Sequence, residues 1–306
     1  MRRAFIGALL EIASREPRVV LLTADLGYGV VDQFAQQLPR QFINVGVAEQ
    51  NMMGVATGLA ARGYIPFAYS IASFASLRAY EFIRNGPILH RLPVRIIGVG
   101  GGMDYGHQGL THYALEDLAV MRVQPDLTVI APADSDQARA ALLATWDRPG
   151  PAYFRLGKDE LPPVPGLDGR FELGAVHSVR EGRDVVMLVV GPIAHAVHEA
   201  ADLLTNDGVS CEIVVVACLN PVPHGPLASL LGRFRQAVTV EAHYTVGGLG
   251  SMVAEVIATA GIDCRLIRRG VDGTPSPESG SALYLARRHG LAPSQLRDAV
   301  RTALHK

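Results

Sequence analysis

The sequence is poor in cysteine, and its cysteines and histidines are not spaced as metal ligands. Three cysteines and ten histidines occur in 306 residues, and they form neither a Cys-x-x-Cys nor a His-x-x-x-His pattern. This argues against a disulfide scaffold and against a metal site built by this chain alone. Cys211, Cys218 and Cys264 each lie in an apolar run. We interpret them as small core residues of a protein in a reducing, cytoplasmic compartment.

The chain also lacks an excess of charge and any long apolar run. Its formal net charge is −1 and it has no basic stripe, so binding to nucleic acid or to an anionic membrane has no support. No apolar stretch is both long enough and sufficiently free of charge to cross a bilayer. Glu11 interrupts the apolar start of the chain, where Phe5, Leu9 and Ile12 fall at helical spacing. This start is predicted to be an amphipathic helix rather than a signal peptide.

What is present is an alternation of strand-like apolar runs and helical patterns, in two series. Strands separated by helices predict right-handed crossovers and mainly parallel sheets, and a segment rich in proline and glycine separates the series. We predict two doubly wound α/β domains, residues 1–160 and the smaller 175–306, joined by a linker at 161–174. The predicted strands are Val19–Leu22, Ile43–Val47, Ile65–Tyr69, Val94–Val99, Thr128–Ala131, Ala152–Leu156, Val185–Val190, Val209–Ala217, Ala237–Glu241 and Cys264–Ile267, and the predicted helices include Gln50–Ala61, Phe74–Arg84, Tyr113–Arg122, Asp134–Trp146, Ala194–Asp207 and Pro293–Leu304.

Glu49 lies at the junction of a predicted strand and a predicted helix, within the segment Phe42–Gly54. Its neighbours are mostly small or apolar, and removal from water favours the uncharged form of a carboxyl group. We therefore expect a side chain that can share a proton near neutral pH. On these residues alone two interpretations stay open. Glu49 is either an ordinary first-turn residue that the helix dipole stabilises, or a catalytic group.

Three loops that follow predicted strands carry polar side chains. Because the carboxyl ends of parallel strands lie at one edge of a sheet, ligands bind there, and the loops at residues 24–29, 47–50 and 98–112 are expected to converge. Glycines in the last of these loops let the backbone approach a ligand closely. The predicted rim gathers Asp25, Glu49, His107, Gln108 and His112.

Several sequence blocks, taken in order and with their spacing, resemble a known family. The blocks Ala24–Gly27, Val47–Gly54, Arg78–Asn85, Leu110–Ala119 and Thr128–Asp134 resemble the carboxyl-terminal half of transketolase, and Pro221–Pro223 and Thr239–Ser251 resemble the terminal domain of that half. This half comprises the pyrimidine-binding domain and the terminal domain. In split transketolases it is a separate subunit.

The resemblance implies that the chain binds the pyrimidine end of thiamine diphosphate. At the position of Glu49 the family has a Glu that hydrogen-bonds the pyrimidine N1′ and so promotes removal of the thiazolium C2 proton. Phe74 would stack on the pyrimidine, and Leu26 would lie near the thiazolium. For Ile71 and Leu77, a place in the core is an equal alternative. The implied cofactor-binding residues are Asp25, Leu26, Glu49, Ile71, Phe74 and Leu77.

The resemblance also implies a substrate site, with departures from the family. His112 matches the Thr-His of the family loop and would act as a catalytic contact to the substrate carbonyl or hydroxyl group. Arg155 matches the Arg that clamps a sugar phosphate, whereas a phosphate-binding His of the family falls on Gly100. This loss suggests an atypical donor or acceptor. The implied substrate-binding residues are His107, Gln108, Tyr113 and Arg155, and at Gln108 and Tyr113 the family has Asp and Gln.

One family motif is missing. Gly-Asp-Gly followed at a distance by Asn, the motif for Mg²⁺ and diphosphate, does not occur. Because a diphosphate needs a divalent cation and donor-rich loops, a partner subunit would have to supply them. The resemblance thus implies a transferase of two-carbon ketol units between small ketose and aldehyde substrates, active as an α2β2 heterotetramer with an amino-terminal subunit. The alternatives are the beta subunit of a 2-oxoacid dehydrogenase and a regulatory subunit without turnover.

Overall fold

The computed structural model of the protein describes residues 1–275 and 277–304. Its strands are β1 (Val19–Thr23), β2 (Phe42–Asn44), β3 (Ile65–Ile71), β4 (Arg95–Val99), β5 (Thr128–Ile130), β6 (Ala152–Leu156), β7 (His177–Arg180), β8 (Val185–Val190), β9 (Cys211–Val215), β10 (Cys218–Asn220), β11 (Gln236–Tyr244) and β12 (Arg265–Val271). Its α-helices are α1 (Arg2–Ala13), α2 (Asp32–Gln37), α3 (Glu49–Ala61), α4 (Tyr80–Ile83), α5 (Asp117–Arg122), α6 (Ser135–Thr145), α7 (Ala194–Asn206), α8 (His224–Leu231), α9 (Leu249–Ala260), α10 (Ala282–Arg288) and α11 (Pro293–Leu304).

Within the described residues, the first sheet has the strand order β10-β5-β6-β4-β3-β1-β2. Strands β1 to β6 run parallel, and β10 pairs antiparallel with β5. The strands β1, β3, β4 and β6 are buried along their whole length, as expected where helices cover both faces of a parallel sheet. Thr23 pairs with both Asn44 and Tyr69, and Ile71 pairs with Val99. The carboxyl ends of β1 to β4 therefore lie at one edge.

The second sheet has the order β12-β11-β8-β9-β7 in the part of the chain that the structure describes. Its strands run parallel apart from β7, which pairs antiparallel with β9. The predicted class of two mainly parallel α/β domains is confirmed. No helix among the described residues is long and apolar enough to cross a membrane.

The two halves of the chain share an apolar core. A single buried cluster contains Leu22 and Met53 from the first half together with Val186 and Leu227 from the second. The short strand β10 comes from the second half but joins the first sheet, so the two sheets overlap in sequence. The segment predicted as a linker, 161–174, contains no helix or strand, yet its Val164 and Leu167 are buried. This segment is packed against the second domain's core.

Two predicted helices differ from the structure. The predicted helix Phe74–Arg84 is instead a π-helical turn at Phe74–Arg78, then α4, then a second π-helical turn at Arg84–Ile88. Pro87 lies in the second turn, and its missing backbone N–H interrupts regular helical bonding. The predicted helix Tyr113–Arg122 starts only at Asp117, because a 3-10 turn at Leu110–His112 and an extended Tyr113 precede it.

Candidate active site

The predicted convergence of loops is seen at the carboxyl edge of the first sheet. The loops after β1, β2 and β4 and the π-helical turn after β3 all follow strands that end at this edge. Glu49, Phe74 and His112 lie on three of these connections. The geometry of these three side chains describes the candidate site.

Glu49 is the first residue of α3, and its side chain is 1% exposed. The Ser70 hydroxyl donates a hydrogen bond to Glu49 Oε1 over 3.3 Å, and Arg78 Nη1 donates to Glu49 Oε2 over 2.6 Å. The Arg78 side chain is 43% exposed, so this ion pair joins a buried carboxylate to a cation at the surface. A carboxylate can accept about four hydrogen bonds, and Glu49 therefore keeps acceptor capacity for a ligand.

An aromatic ring connects Glu49 to His112. The Arg78 guanidinium carbon lies 4.3 Å from the centroid of the Phe74 ring, within the range of a cation–π contact. The His112 ring contacts Phe74 edge-on, with the centroids 5.1 Å apart. Thr111 Oγ1 lies 2.9 Å from His112 Nδ1. The buried carboxylate, the aromatic face and the imidazole thus form one continuous group.

A second cation, Lys158, is linked to His112 through the ring of Tyr105. The rings of Tyr105 and His112 have their centroids 6.3 Å apart, and Lys158 Nζ lies 5.0 Å from the centroid of Tyr105. The backbone N–H of Lys158 donates to the carboxylate of Asp104 over 2.9 Å, and desolvation by burial raises the pKa of this carboxyl group. Lys158 therefore has a fixed backbone and a half-buried side chain whose ammonium group lies over Tyr105.

The first loop places Asp25 and Leu26 at the same edge. Asp25 has a φ of 56°, and its carboxylate accepts hydrogen bonds from Asn44 Nδ2 at 3.0 Å and Tyr28 Oη at 2.9 Å. These two bonds, that from Asn44 first, lower the pKa of Asp25. The backbone of Leu26 forms bonds in both directions with the Thr23 hydroxyl. Both residues shape the loop, and their contacts with a cofactor stay a prediction.

The other predicted cofactor contacts, Ile71 and Leu77, differ in exposure. Ile71 at the end of β3 is 8% exposed, whereas Leu77 on the following turn is 38% exposed. The substrate-binding candidates His107 and Gln108 lie on an exposed 3-10 turn. The structure places all four near the site, and their roles stay predictions.

Two predicted substrate contacts are not supported by their positions. The Arg155 side chain is 4% exposed, and its Nε donates to Asp117 over 3.0 Å. Its Nη2 donates to the carbonyl oxygens of Ala114 and Ala242 over 2.8 and 2.9 Å. This guanidinium neutralises a buried carboxylate and connects the two domains instead of facing the rim. The reason is its place inside the central strand β6, between β4 and β5.

Tyr113 is the second residue whose position differs from that expected of a substrate contact. Its side chain is buried, and its hydroxyl donates to the carbonyl oxygen of Glu278 over 3.0 Å. The ring packs in an apolar cluster between the domains, so neither the ring nor the hydroxyl is free for a substrate.

The sequence alone indicated no role for four residues near the site, namely Ser70, Arg78, Tyr105 and Lys158. The i, i+4 spacing of Phe74 and Arg78 was a usable signal, since such residues can meet on one helical face. Lys158 follows β6, whose carboxyl end lies beside that of β4. The rule that ligands bind at the carboxyl edge of a parallel sheet therefore applies to Lys158 as well.

Comparison with known proteins identifies the family of the chain. The family model described as "Transketolase, pyrimidine binding domain" matches residues 1–164. The chain belongs to the transketolase family. The model described as "Transketolase, C-terminal domain" matches residues 174–296.

Relatives of similar length are parts of divided transketolases. The chain is 35% identical to a putative transketolase C-terminal section of Methanocaldococcus jannaschii, over 95% of this chain and 92% of the relative. It is also 35% identical to a 6-deoxy-6-sulfo-D-fructose transketolase subunit of Clostridium sp., over 97% and 92% of the two chains. A solved split-gene transketolase, described as an inactive beta4 tetramer, superposes with a TM-score of 0.88 at 37% identity, covering 99% and 97% of the two chains.

The transketolase family implies thiamine diphosphate, and the residues present fit one end of it. A buried acceptor beside an aromatic face suits an aminopyrimidine ring, as Glu49 and Phe74 provide. Among the described residues, no group of three or more His, Cys, Asp or Glu is arranged to hold a metal ion. The fit that these residues show is therefore a fit to the pyrimidine.

Proposed function

We propose that this transketolase-family subunit transfers a two-carbon ketol unit from a ketose phosphate donor, or another anionic ketose donor, to an aldehyde-type acceptor. It works with thiamine diphosphate and with an amino-terminal partner subunit that holds the diphosphate and Mg²⁺. The observation that carries the proposal is the continuous contact from buried Glu49 through Arg78 and Phe74 to His112.

Glu49 is proposed to act at the pyrimidine. When bound, thiamine diphosphate supplies a nucleophilic carbon at C2 of its thiazolium ring. Glu49 hydrogen-bonds N1′, and the burial of its carboxylate keeps water from competing for that hydrogen bond. Ser70 and Arg78 fix the orientation of the carboxylate. Phe74 offers its ring for stacking, which contributes about 1 kcal/mol beyond the burial of area.

His112 and Lys158 are proposed to act at the substrate. The imidazole of His112 hydrogen-bonds the carbonyl or hydroxyl oxygen near the reacting carbon. Lys158, rather than Arg155, attracts the anionic end of the donor, because its ammonium group lies beyond Tyr105 on the same edge and is only half-buried. The relative named for 6-deoxy-6-sulfo-D-fructose supports the proposal of an anionic ketose as donor. Membership of the transketolase family supports a ketose phosphate.

The proposed partner covers the edge that carries Glu49. Large apolar side chains around this edge are exposed, with Val47 at 75%, Leu77 at 38% and Phe82 at 41%. The solved relative described as an inactive beta4 tetramer supports the proposal that chains of this type need another subunit. We propose an α2β2 assembly and expect the chain to be inactive when it is alone.

The decisive variant is Glu49→Gln, which keeps the shape of the side chain but cannot share a proton. The chain should be co-purified with the product of a neighbouring reading frame that carries the Gly-Asp-Gly…Asn motif. Exchange of the thiamine diphosphate C2 proton into D₂O, followed by NMR, should slow by about 100-fold or more. Glu81→Gln is the matched control, since this Glu lies in the first turn of α4 nearby but is exposed. Full exchange by Glu49→Gln would contradict the proposal.

The same complex separates the alternatives. Ketol transfer from xylulose 5-phosphate or 6-deoxy-6-sulfo-D-fructose would support a transketolase. Release of CO₂ from pyruvate would indicate a 2-oxoacid dehydrogenase subunit. An assembled complex with no C2-proton exchange above background would indicate a regulatory subunit.

A further inference from the structure

The second domain contacts the loop that carries His112 on both sides of that residue in the sequence. The backbone N–H of Tyr244 donates to the carbonyl of Leu115 over 2.8 Å, and that of Gly280 donates to Gly106 over 3.1 Å. Between these two points, the Tyr113 hydroxyl donates to the carbonyl of Glu278 over 3.0 Å. The second domain therefore binds this loop before His112, directly after it and further along the chain.

An apolar cluster reinforces these hydrogen bonds. Tyr113 packs between side chains of the loop and side chains of the second domain. The members of this cluster are Met103, Tyr113, Leu115, Val271 and Leu285, with Tyr244 packed against them. A side chain at Gly106 would collide with the carbonyl oxygen of Gly280, so the two backbones are in close contact. The cluster thus holds the loop against the second domain.

His112 itself has few fixed contacts. Its backbone N–H donates to the carbonyl of Gly109 over 3.0 Å within a short 3-10 turn. Its ring contacts Phe74 and the hydroxyl of Thr111, while Leu110 and Thr111 are exposed. The next residue, Tyr113, is the first one after His112 that is firmly anchored.

We propose that the second domain positions the His112 imidazole against Phe74, with Tyr113 as the positioning residue. The hydroxyl bond to Glu278 fixes the backbone that follows His112, and the apolar cluster fixes the ring of Tyr113. This role is distinct from contact with the substrate. The proposal rests on the proposed function only for its kinetic consequence, because the position of the ring can be measured on this chain alone.

The first test measures the position of the ring by NMR. In the full chain labelled with [¹³Cε1]-histidine, the His112 signal is assigned through His112→Asn. The Phe74 ring current shifts this signal, since the centroids are 5.1 Å apart. Tyr113→Phe, which removes one hydroxyl, should move or broaden it. Tyr284→Phe is the matched control, because its hydroxyl also binds Glu278, at Oε2 over 2.9 Å, but does not bind the loop. An unchanged His112 signal in Tyr113→Phe would overturn the proposal.

A second pair of variants separates positioning from stability. Leu285→Ala changes a member of the apolar cluster, and this member belongs to the second domain. Leu296→Ala changes an equally buried leucine in the second domain's own core. Both should lower the urea midpoint, but only Leu285→Ala should move the His112 signal. Equal effects of both variants on that signal would contradict a specific role of the cluster.

The kinetic test uses the complex with its partner subunit. Loss of one buried hydrogen bond should lower kcat/KM for the donor by about fivefold to tenfold in Tyr113→Phe, and Tyr284→Phe should stay within about twofold. A moved signal with unchanged kinetics would uphold the positioning by Tyr113 and contradict the proposed contact of His112 with substrate. The two ideas can therefore fail separately.

Discussion

Arg155→Met tests whether Arg155 stabilises the junction of the domains or binds a sugar phosphate. Arg155 and Asp117 form a buried ion pair, with side chains 4% and 0% exposed. Asp117 Oδ2 also accepts a hydrogen bond from the Tyr153 hydroxyl over 2.7 Å. Loss of the guanidinium leaves a buried carboxylate with one neutral donor. It also removes the donor to the carbonyls of Ala114 and Ala242.

The expected loss of stability in Arg155→Met follows from the burial of its ion pair with Asp117. Removing one partner of a buried ion pair costs about 3–5 kcal/mol. In a protein of this size each kcal/mol lowers Tm by roughly 2–4 °C, so we expect a decrease of roughly 10 °C. Urea and thermal unfolding followed by circular dichroism measure it. Arg155→Met/Asp117→Asn should recover part of the lost free energy of unfolding, because the uncompensated charge is then absent.

Lys158→Met is the matched control at the edge of the site. This change should leave the unfolding midpoint nearly unchanged, since the lysine is half-buried, and should raise KM for xylulose 5-phosphate in the assembled complex. An unchanged unfolding midpoint in Arg155→Met together with a raised KM would refute the reasoning and restore Arg155 as a phosphate ligand.

Two further predictions concern the pyrimidine site and the junction of the domains. Phe74→Leu should weaken thiamine diphosphate binding to the complex by about fivefold to tenfold, measured by calorimetry, because the stacking face is lost; unchanged affinity would exclude stacking. Burial lowers the pKa of His243 to about 4 and raises that of Glu241 to about 7. Stabilisation by neutral His243 is lost as pH falls below 6.5, whereas stabilisation by protonated Glu241 is lost as pH rises through 7. Each changes the free energy of unfolding by about 2 kcal/mol between pH 7 and 5, in opposite directions. When the pH is lowered from 7 to 5, Glu241→Gln should therefore lose more free energy of unfolding, measured in urea, than the unchanged protein. Equal losses would contradict the opposite contributions of His243 and Glu241.

The sequence predicted elements whose signal is local. Strands such as β6 and β8 coincide with apolar runs, and Glu49 was correctly expected at the start of a helix, since strand, turn and helix follow each other directly. The ion pair of Glu49 with Arg78 was not predicted, because it depends on how the turn after β3 packs against α3. The short strand β10 was missed for the same reason, since it joins a sheet formed by another part of the chain.

The position of Arg155 shows how a motif match and the sheet topology can point to different roles for one residue. All five residues of β6 are buried, and β6 has neighbours on both sides. A strand in that place is covered on both faces, so a charged residue near its end needs a partner inside the protein. Lys158 lies beyond the end of the strand and escapes this constraint. A position inside the strand or beyond its end therefore distinguishes Arg155 from Lys158 more reliably than a match to the family motif does.

The contacts between the two domains determine whether the edge that carries the candidate site is ordered in a single chain. To displace the second domain, the chain would have to break the Arg155 bridge to Ala242, the pairing of β10 with β5 and the bond from Tyr113 to Glu278. The site edge is therefore already ordered in a single chain. A partner that docks on it need not supply the free energy for ordering that edge, which is one of the main costs of association. Under the proposed function, the partner is then needed to hold the cofactor's diphosphate and its cation rather than to order the edge that carries Glu49.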